Sequence, residues 1–247
     1  MKDVVLVPTF SRPEMLWHCL EHLFRCPEFT EHDVVVWLDW HADLPDPPLV
    51  EVEQVVGFFP GVHLVRLARH GRPGNSFNVL SAYRAAYESG ADVVYLVEDD
   101  VMVRPDFFRF HRFVRSLLDV FCVVAAENTR RATPPQGNHF WATDDDYASL
   151  GVSFDRKALA EIVRHHSAEY FGDMHGYCQR NFGARFQKEE VEQDGLILRV
   201  MGEQRVLSAW PYEPRAQHVG WYGYHRQQGR PQGTLEQRYR QVQGRIY

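Results

Sequence analysis

The chain has 247 residues, which is enough for one large α/β domain or two small lobes with a sizeable core. Hydrophobic residues make up 45% and charged residues 24% of the sequence, as in soluble globular proteins. The net charge of −6 excludes the overall basic character of many nucleic-acid-binding domains, although it is compatible with local basic patches.

The sequence lacks the patterns of secreted and membrane-spanning chains. The four cysteines show no CxxC pairing and are expected to be free thiols in a reducing compartment. The N-terminus leads directly into a predicted strand, without the basic and apolar regions of a signal peptide. No apolar run approaches the roughly 20 residues that a membrane helix needs, so we expect a cytoplasmic protein without a membrane span.

Strands and helices alternate regularly in the first half of the chain. Continuous apolar runs predict buried strands at residues 4–7, 34–38, 62–67 and 92–97. Between them, helices are predicted at residues 13–24, at about residues 50–58, and from a cap at Asn75 or Ser76 to Tyr87. This alternation indicates an α/β fold with a mostly parallel sheet and right-handed crossovers.

The second half is less regular. Helices are predicted at about residues 105–118, 156–165 (capped by Asp155) and 189–201, and strands at residues 120–126, 149–154 and 206–212. A polar loop at residues 129–146 is long enough to be functional or disordered. After Tyr224 the chain is rich in Gln, Arg and Gly.

Polar residues follow each strand of the predicted parallel sheet. Residues 9–12, Asp39, the glycine-rich loop at residues 69–74 and an acidic segment at residues 98–100 each come directly after a strand. In an open parallel sheet, the carboxyl ends of the strands form the ligand-binding edge. Asp39 could accept hydrogen bonds from a base or ribose, and Arg72 could meet polar or anionic groups. The alternative is four unrelated surface turns.

The acidic segment consists of three consecutive carboxylates, Glu98, Asp99 and Asp100, which we call the acidic triplet. Like charges this close raise one another's pKa, so the arrangement is costly without a counter-ion. A divalent cation is the usual remedy, because hard cations bind carboxylate oxygens. The sequence therefore predicts a metal site that holds a diphosphate.

The first strand and turn, residues 5–13, resemble the opening of family-2-like glycosyltransferases with the GT-A fold. The acidic triplet resembles their aspartate-containing metal motif in its glutamate-led form, and the spacing to Asp39 also matches. The resemblance covers about residues 1–106 and only scattered points beyond. It implies a mostly parallel central sheet flanked by helices, with a nucleotide-sugar-binding half (1–104), a mixed acceptor-binding and catalytic half (105–225) and a basic C-terminal tail (226–247).

The resemblance also implies roles for particular residues. Asp100 would be the direct ligand of Mn²⁺ or Mg²⁺, while Asp99 would contact ribose or the metal. The donor nucleotide would be bound by Pro8, Thr9, Phe10, Arg12, Asp39, Arg72 and Asp99. A late histidine often joins the metal in this fold, and His218 resembles that position, with His225 as a rival; a lone histidine can equally be structural.

Residues 190–199 resemble the segment that carries the general base of inverting family members. Asp194 would take a proton from the acceptor hydroxyl. Gln193 stands where the family usually has glutamate, and Glu192 is the nearest competitor as base. An acid near a helix start, favoured by the helix dipole, is the alternative reading of Asp194.

Three other patterns are weaker. His18, Glu21 and His22 form a literal H-x-x-E-H, but on the polar side of the first predicted helix, where we expect a solvated face rather than a zinc site. The acids at residues 144–146 suit acceptor recognition or solvation. Two aromatic residues, Phe140 and Trp141, could stack on a sugar or base, or anchor the loop.

Together these features predict a metal-dependent glycosyltransferase that moves a sugar from a nucleoside diphosphate sugar, expected to be a UDP-sugar, to an acceptor hydroxyl by inverting single displacement. The acceptor could be a glycan, a small molecule, a protein or a hydroxylated base in DNA, the last because the arginine-rich tail could contact phosphates. Two alternatives are a sugar nucleotidyltransferase, although residues 8–13 contain no glycine, and an inactive nucleotide-sugar-binding module.

Overall fold

The computed structural model describes residues 2–72, 74–127, 139–183, 189–222 and 229–246. His225, Arg226 and most of the long polar loop lie outside these ranges. None of the helices in the described ranges has the length and apolar character that a membrane span requires.

The described residues form helices and strands that alternate through most of the chain. The helices are α1 (Pro13–Phe24), α2 (Leu49–Gly57), α3 (Gly74–Glu88), α4 (Phe107–Leu117), α5 (Arg156–Val163), α6 (Ala168–Gly172), α7 (Met174–Phe182), α8 (Gln193–Gln204) and α9 (Leu235–Gln243). The strands are β1 (Asp3–Thr9), β2 (Asp33–Leu38), β3 (Val62–Arg66), β4 (Val93–Leu96), β5 (Val101–Val103), β6 (Cys122–Val124), β7 (Phe140–Thr143), β8 (Val152–Asp155), β9 (Ser208–Pro211) and β10 (Ala216–His218).

The central sheet has the strand order β3-β2-β1-β4-β8-β6-β9-β7. Its first four strands are parallel, as the alternating sequence pattern predicts. The later strands are mixed, because β8 runs antiparallel to both β4 and β6 while β9 runs parallel to β6. This arrangement confirms the expected mostly parallel α/β fold with a mixed second half.

Strand β1 lies at the centre of the molecule and is buried along its whole length. Val4 and Leu6 face a core formed with α3, α5 and α8, whereas Val5 and Val7 face a second core formed with α1, α2 and α4. A strand covered on both faces needs apolar residues at every position, which explains the unbroken run at residues 4–7.

The predicted boundaries differ from the observed ones mainly around the acidic triplet. Strand β4 ends at Leu96, and a separate short strand, β5, follows the triplet and pairs with β10. The helix predicted from residue 189 is interrupted: a 3₁₀ turn at Glu189–Val191 precedes α8. Asp155 caps α5 as expected, since its side chain accepts a hydrogen bond from the Ala158 N–H.

The polar face of α1 is only partly solvated: Arg25 is exposed, as expected, but the expectation was wrong for His18, which is buried. The C-terminal helix α9 packs on α1, and the His18 ring stacks on Tyr239 with 4.2 Å between ring centroids. His18 and His22 each lie 3.1 Å from a backbone carbonyl oxygen, those of Tyr239 and Val103. The two rings therefore do not converge on a shared metal position.

Helix α9 is held by a buried carboxylate on α1. Glu14 is fully buried and forms ion pairs with Arg238 at 2.7 Å and Arg230 at 3.1 Å, and it accepts a hydrogen bond from the Tyr222 hydroxyl. Both arginines also pair with Glu51 on α2. Two arginines of the segment expected to be a basic tail thus pair with acids of α1 and α2, Arg238 buried and Arg230 exposed.

Replacing Arg238 with alanine should lower the free energy of unfolding by about 3 kcal/mol, because it removes a partner from the buried Glu14 carboxylate. Urea denaturation of the purified variant measures this change. Arg240→Ala is the matched control: Arg240 forms an exposed pair with Glu236, so its loss should cost less than about 1 kcal/mol. Equal effects of the two substitutions would contradict a buried role for Arg238.

Candidate active site

A cavity of about 370 Å³ opens at the carboxyl ends of β1, β2 and β4. Eight of the ten predicted site residues line it: Pro8, Thr9, Phe10, Arg12, Asp39, Asp99, Asp100 and His218. The other two, Arg72 and Asp194, are absent from its wall. The structure therefore brings most of the predicted donor and metal residues to one place.

Strand register explains this convergence. Leu38 of β2 pairs with Thr9 of β1, and the Asp39 N–H donates to the Thr9 carbonyl oxygen at 2.9 Å. On the other side of β1, the Val97 N–H donates to the Leu6 carbonyl oxygen at 3.0 Å, which places the acidic triplet just beyond the same edge. Parallel strands of similar length thus deliver their following residues to one cavity.

The acidic triplet is held by neighbours of complementary charge and hydrogen-bonding capacity. The Thr9 hydroxyl donates to Asp99 Oδ2 at 2.7 Å, and the Arg12 guanidinium donates to Asp99 Oδ1 and, at 2.6 Å, to Asp100 Oδ2. Burial alone would raise the pKa of Asp100, but the hydrogen bond from His218 and the charge of Arg12 lower it to about 2. Asp100 is therefore ionised at neutral pH.

Glu98 differs from its two neighbours. Burial, together with the nearby charges of Asp100, Asp194 and Asp99, raises the pKa of Glu98 to about 8. Its carboxyl group is therefore largely protonated at neutral pH, which reduces the repulsion within the triplet.

His218 reaches the acidic triplet through the small β5–β10 sheet. Its strand pairs antiparallel with β5, so that His218 lies opposite Val101, and its Nε2 lies 3.1 Å from Asp100 Oδ2. Two residues later, a Cβ at Gly220 would lie 2.0 Å from Asp100 Oδ2. Only glycine leaves room for the chain to pass this close to the carboxylate.

Asp100 and His218 form a donor set that fits Mn²⁺ or Mg²⁺. Among the described residues, no group of three His, Cys, Asp or Glu side chains is arranged to hold a metal ion by itself. A carboxylate and an imidazole nevertheless suit Mn²⁺, and Mg²⁺ sites commonly combine one or two carboxylates with substrate phosphates and water. Asp100 Oδ1 is also buried with no hydrogen-bond partner among the described residues.

Asp39 is oriented by a histidine that sequence reasoning missed. His70 Nε2 donates to Asp39 Oδ1 at 2.7 Å, and the His70 ring packs against Phe77 with 4.3 Å between centroids. His70 belongs to the glycine-rich loop that was singled out, whereas Arg72 of the same loop is exposed and its carbonyl oxygen accepts a hydrogen bond from His41. The loop acts on Asp39 through His70.

The first turn of α3 forms a further wall of the cavity that sequence reasoning did not assign. Asn78 lies there with 2% of its surface exposed, and its Oδ1 is buried with no hydrogen-bond partner in the described chain. The Ser76 hydroxyl donates to Gln193 Oε1 at 2.8 Å, and the Gln193 N–H donates back to Ser76 Oγ at 3.1 Å. This reciprocal pair ties α3 to the start of α8 and gives Gln193 a structural role.

Asp194 lies in the first turn of α8 and connects to the acidic triplet through one serine. The Ser149 hydroxyl lies 3.3 Å from Asp194 Oδ2 and 3.4 Å from Glu98 Oε1. Burial raises the pKa of Asp194 to about 6, against the opposing effect of the Ser149 hydrogen bond and with a contribution from Glu192. A carboxylate with this pKa can accept a proton near neutral pH.

The aromatic residues of the polar loop have partners within the protein. Trp141 is 9% exposed and stacks on Trp210, and Phe140 packs edge-on against Phe113. These contacts favour the loop-anchor interpretation over stacking on a ligand. Of the neighbouring acids, Asp145 accepts a hydrogen bond from the Thr143 hydroxyl.

No protein-family model and no curated protein sequence matches this chain. Among solved structures, Staphylococcus aureus TarS aligns with a TM-score of 0.52 and 14% identity over 87% of this chain and 36% of TarS. TarS 1–349 in complex with UDP-GlcNAc aligns with a TM-score of 0.49 and 15% identity, covering 88% of this chain and 60% of that one.

A third structure, the galactosyltransferase LgtC with donor and acceptor sugar analogues, gives a TM-score of 0.45 and 13% identity over 79% of this chain and 68% of LgtC. The chain thus spans about a third to three fifths of the length of the TarS structures. At 14% identity, the TarS match establishes the fold, which is the GT-A arrangement expected from the sequence.

Replacing Gly220 with alanine should lower the free energy of unfolding by about 1–3 kcal/mol, because the new methyl group overlaps Asp100 Oδ2 and lies 2.8 Å from His218 Nε2. Gly229→Ala is the control, since a Cβ there has no atom within 4 Å. Chemical denaturation of both variants without ligand checks the prediction. A Gly220→Ala variant as stable as Gly229→Ala would show that the chain can move away from Asp100 at little cost.

Proposed function

We propose that this protein is a glycosyltransferase that uses a nucleoside diphosphate sugar and a divalent cation. The observation that carries the proposal is the position of the acidic triplet between the cavity and Asp194. Its aspartates face the cavity that contains Asp39 and His218, and Glu98 is joined through Ser149 to Asp194. Donor recognition, phosphate binding and proton transfer would therefore occur side by side.

The nucleoside end of the donor would lie near Asp39. This carboxylate is 6% exposed, lines the cavity and has one oxygen held by His70, which leaves the other available to accept a hydrogen bond from a base or ribose. Pro8 and Phe10, from the end of β1, would form the neighbouring wall. Thr9 would act indirectly, because its hydroxyl is already donated to Asp99.

Asp100 and His218 would hold Mn²⁺ or Mg²⁺, and the diphosphate would bind beside them in the same cavity. When bound there, the cation would act as a Lewis acid that stabilises the departing nucleoside diphosphate. The nearby carboxamide of Asn78 would offer its unpartnered oxygen to a hydroxyl of the donor.

Asp194 would act as the general base. The acceptor oxygen attacks the anomeric carbon as its proton passes to Asp194, and the bond from that carbon to the diphosphate oxygen breaks with its electron pair leaving on the nucleoside diphosphate. This single displacement inverts the anomeric configuration. Ser149 would orient Asp194, and the Ser76–Gln193 pair would fix α8 relative to the donor cavity.

The acceptor would be a hydroxyl-bearing molecule, since the proposed base takes its proton from a hydroxyl group. The interpretation as a DNA glycosyltransferase rested on the arginine-rich C-terminal segment, and the internal ion pairs of Arg230 and Arg238 give it no support. The absence of glycine between Pro8 and Pro13 continues to argue against a sugar nucleotidyltransferase. TarS 1–349 was crystallised with UDP-GlcNAc, and this makes UDP-GlcNAc the first donor to screen.

Binding of UDP and UDP-GlcNAc should raise the melting temperature by several degrees in the presence of Mn²⁺, because a ligand at a hundred times its Kd stabilises a protein by about 2.7 kcal/mol. GDP should give a smaller shift. Asp100→Asn should remove the Mn²⁺-dependent part of the shift. Thermal denaturation with and without Mn²⁺ measures all three effects, and a UDP shift of equal size without a cation would contradict the proposed metal site.

Asp194→Asn should lower the rate of UDP release from the donor by about 10²–10⁴-fold while the thermal shift with UDP and Mn²⁺ persists, because the general base is lost and the donor cavity is kept. In the unaltered protein the rate should rise with pH through about 6, as Asp194 ionises. Glu192→Gln is the matched control: it should retain the rate, with the pH profile moved slightly to lower pH, because the charge of Glu192 helps to raise the pKa of Asp194. Near-full turnover in Asp194→Asn would disprove the assignment of the base.

A further inference from the structure

Arg12 is the one cationic side chain that contacts two members of the acidic triplet in the described chain. It is the N-cap residue of α1 but makes no side-chain capping bond. Instead, its Nη2 pairs with Asp99 Oδ1 and its Nη1 pairs with Asp100 Oδ2 at 2.6 Å. Its side chain is 20% exposed, against 3% and 4% for the two carboxylates, and all three side chains line the cavity.

The same oxygen serves both Arg12 and the proposed metal site. Asp100 Oδ2 accepts from Arg12 and lies 3.1 Å from His218 Nε2, the atom expected to join it on a cation. The close approach of Gly220 closes off another side of this oxygen. A divalent cation held between His218 Nε2 and this oxygen, Asp100 Oδ2, would therefore have to replace the Arg12 contact.

Within the described protein, the anions that Arg12 contacts are Asp99 and Asp100. Its further hydrogen-bonding partner is the carbonyl oxygen of Tyr222, at 3.3 Å, which is neutral. A partly buried guanidinium released from Asp100 would keep Asp99 but lose one of its two anionic partners in a place of limited hydration. The diphosphate of a nucleotide sugar would replace that partner, because arginine binds phosphate through two parallel N–H···O bonds.

We propose that Arg12 competes with the divalent cation for Asp100, and that the nucleoside diphosphate relieves this competition by accepting the Arg12 guanidinium. This inference rests on the proposed function. It makes cation and donor bind together: each strengthens the binding of the other by the same factor, because coupling between two sites is reciprocal. It also gives Arg12 a role at the phosphates, where the sequence had suggested only a general contact with the donor nucleotide.

The test is to measure Mn²⁺ binding, by electron paramagnetic resonance of the free ion, with and without UDP. In the unaltered protein, UDP should strengthen Mn²⁺ binding at least about tenfold, within the about 5–150-fold range usual for coupled sites. In Arg12→Gln, Mn²⁺ alone should bind at least about tenfold more tightly than in the unaltered protein, because the competitor is gone. UDP should then strengthen Mn²⁺ binding by a smaller factor than in the unaltered protein, since only the contact between the phosphates and the cation remains.

Two further variants separate competition for the oxygen from a general effect of charge. Arg12→Lys keeps the charge but cannot span both carboxylates, so its affinity for Mn²⁺ alone should fall between those of the unaltered protein and Arg12→Gln. Arg104→Gln removes a charge from an exposed position paired with Glu213 and should bind Mn²⁺ like the unaltered protein. Circular dichroism verifies that each variant is folded, and Arg12→Lys carries the test if Arg12→Gln is not.

The outcomes also distinguish this inference from the proposed function. One outcome is that the unaltered protein binds Mn²⁺ and UDP with strong coupling while Arg12→Gln keeps the full coupling and gains no affinity for Mn²⁺ alone. In that case the proposed competition between Arg12 and the cation is wrong, and the proposed donor site stands. If UDP binds and Mn²⁺ does not bind even with UDP present, both the metal site and the competition are wrong.

Discussion

The structure depends on how neighbouring side chains balance the charge of three carboxylates at the end of one central strand. Strand β4 is buried, so the acidic triplet that follows it emerges at a point of low hydration, where ionised groups are costly. The surrounding protein meets this cost with a hydroxyl from Thr9, a guanidinium from Arg12 and an imidazole from His218. Thr9 and Arg12 come from the end of β1 and the turn before α1, and His218 comes from β10. The residues that balance the charge of the triplet are therefore also residues of the cavity wall.

The first turn of α1 joins this compensation to the C-terminal segment. Arg12 and Glu14 are two residues apart, and they pair in different directions: Arg12 with the acidic triplet and Glu14 with Arg230 and Arg238. Tyr222 contacts both, because its carbonyl oxygen accepts from Arg12 and its hydroxyl donates to Glu14. The segment that supplies His218 is thus anchored at two points to the start of α1, and the C-terminal helix, which pairs with the same Glu14, supports this part of the site.

Sequence reasoning could predict the cavity because it depends on local patterns. Buried runs identify parallel strands, and parallel strands bring the residues after them, such as Asp39 and the triplet, to one edge. It could not predict His70 or Asn78, since their roles arise from side-chain direction within a loop and a helix turn. Nor could sequence reasoning predict the burial of His18. Its face of α1 is polar, and only a contact with a helix more than 200 residues away in the sequence covers it.

The three acids of the triplet have different environments, and these differences define the site. Asp99 is held by Thr9 and Arg12 on its two oxygens, which leaves it little freedom to bind anything else. Asp100 shares one oxygen between a guanidinium and an imidazole, and its other oxygen is buried with no partner among the described residues. Glu98 carries a raised pKa and faces Ser149 rather than the guanidinium and the imidazole. A motif that looks uniform in the sequence is therefore divided by its neighbours into a residue held on both oxygens, a residue with one oxygen unpartnered and a link to Asp194.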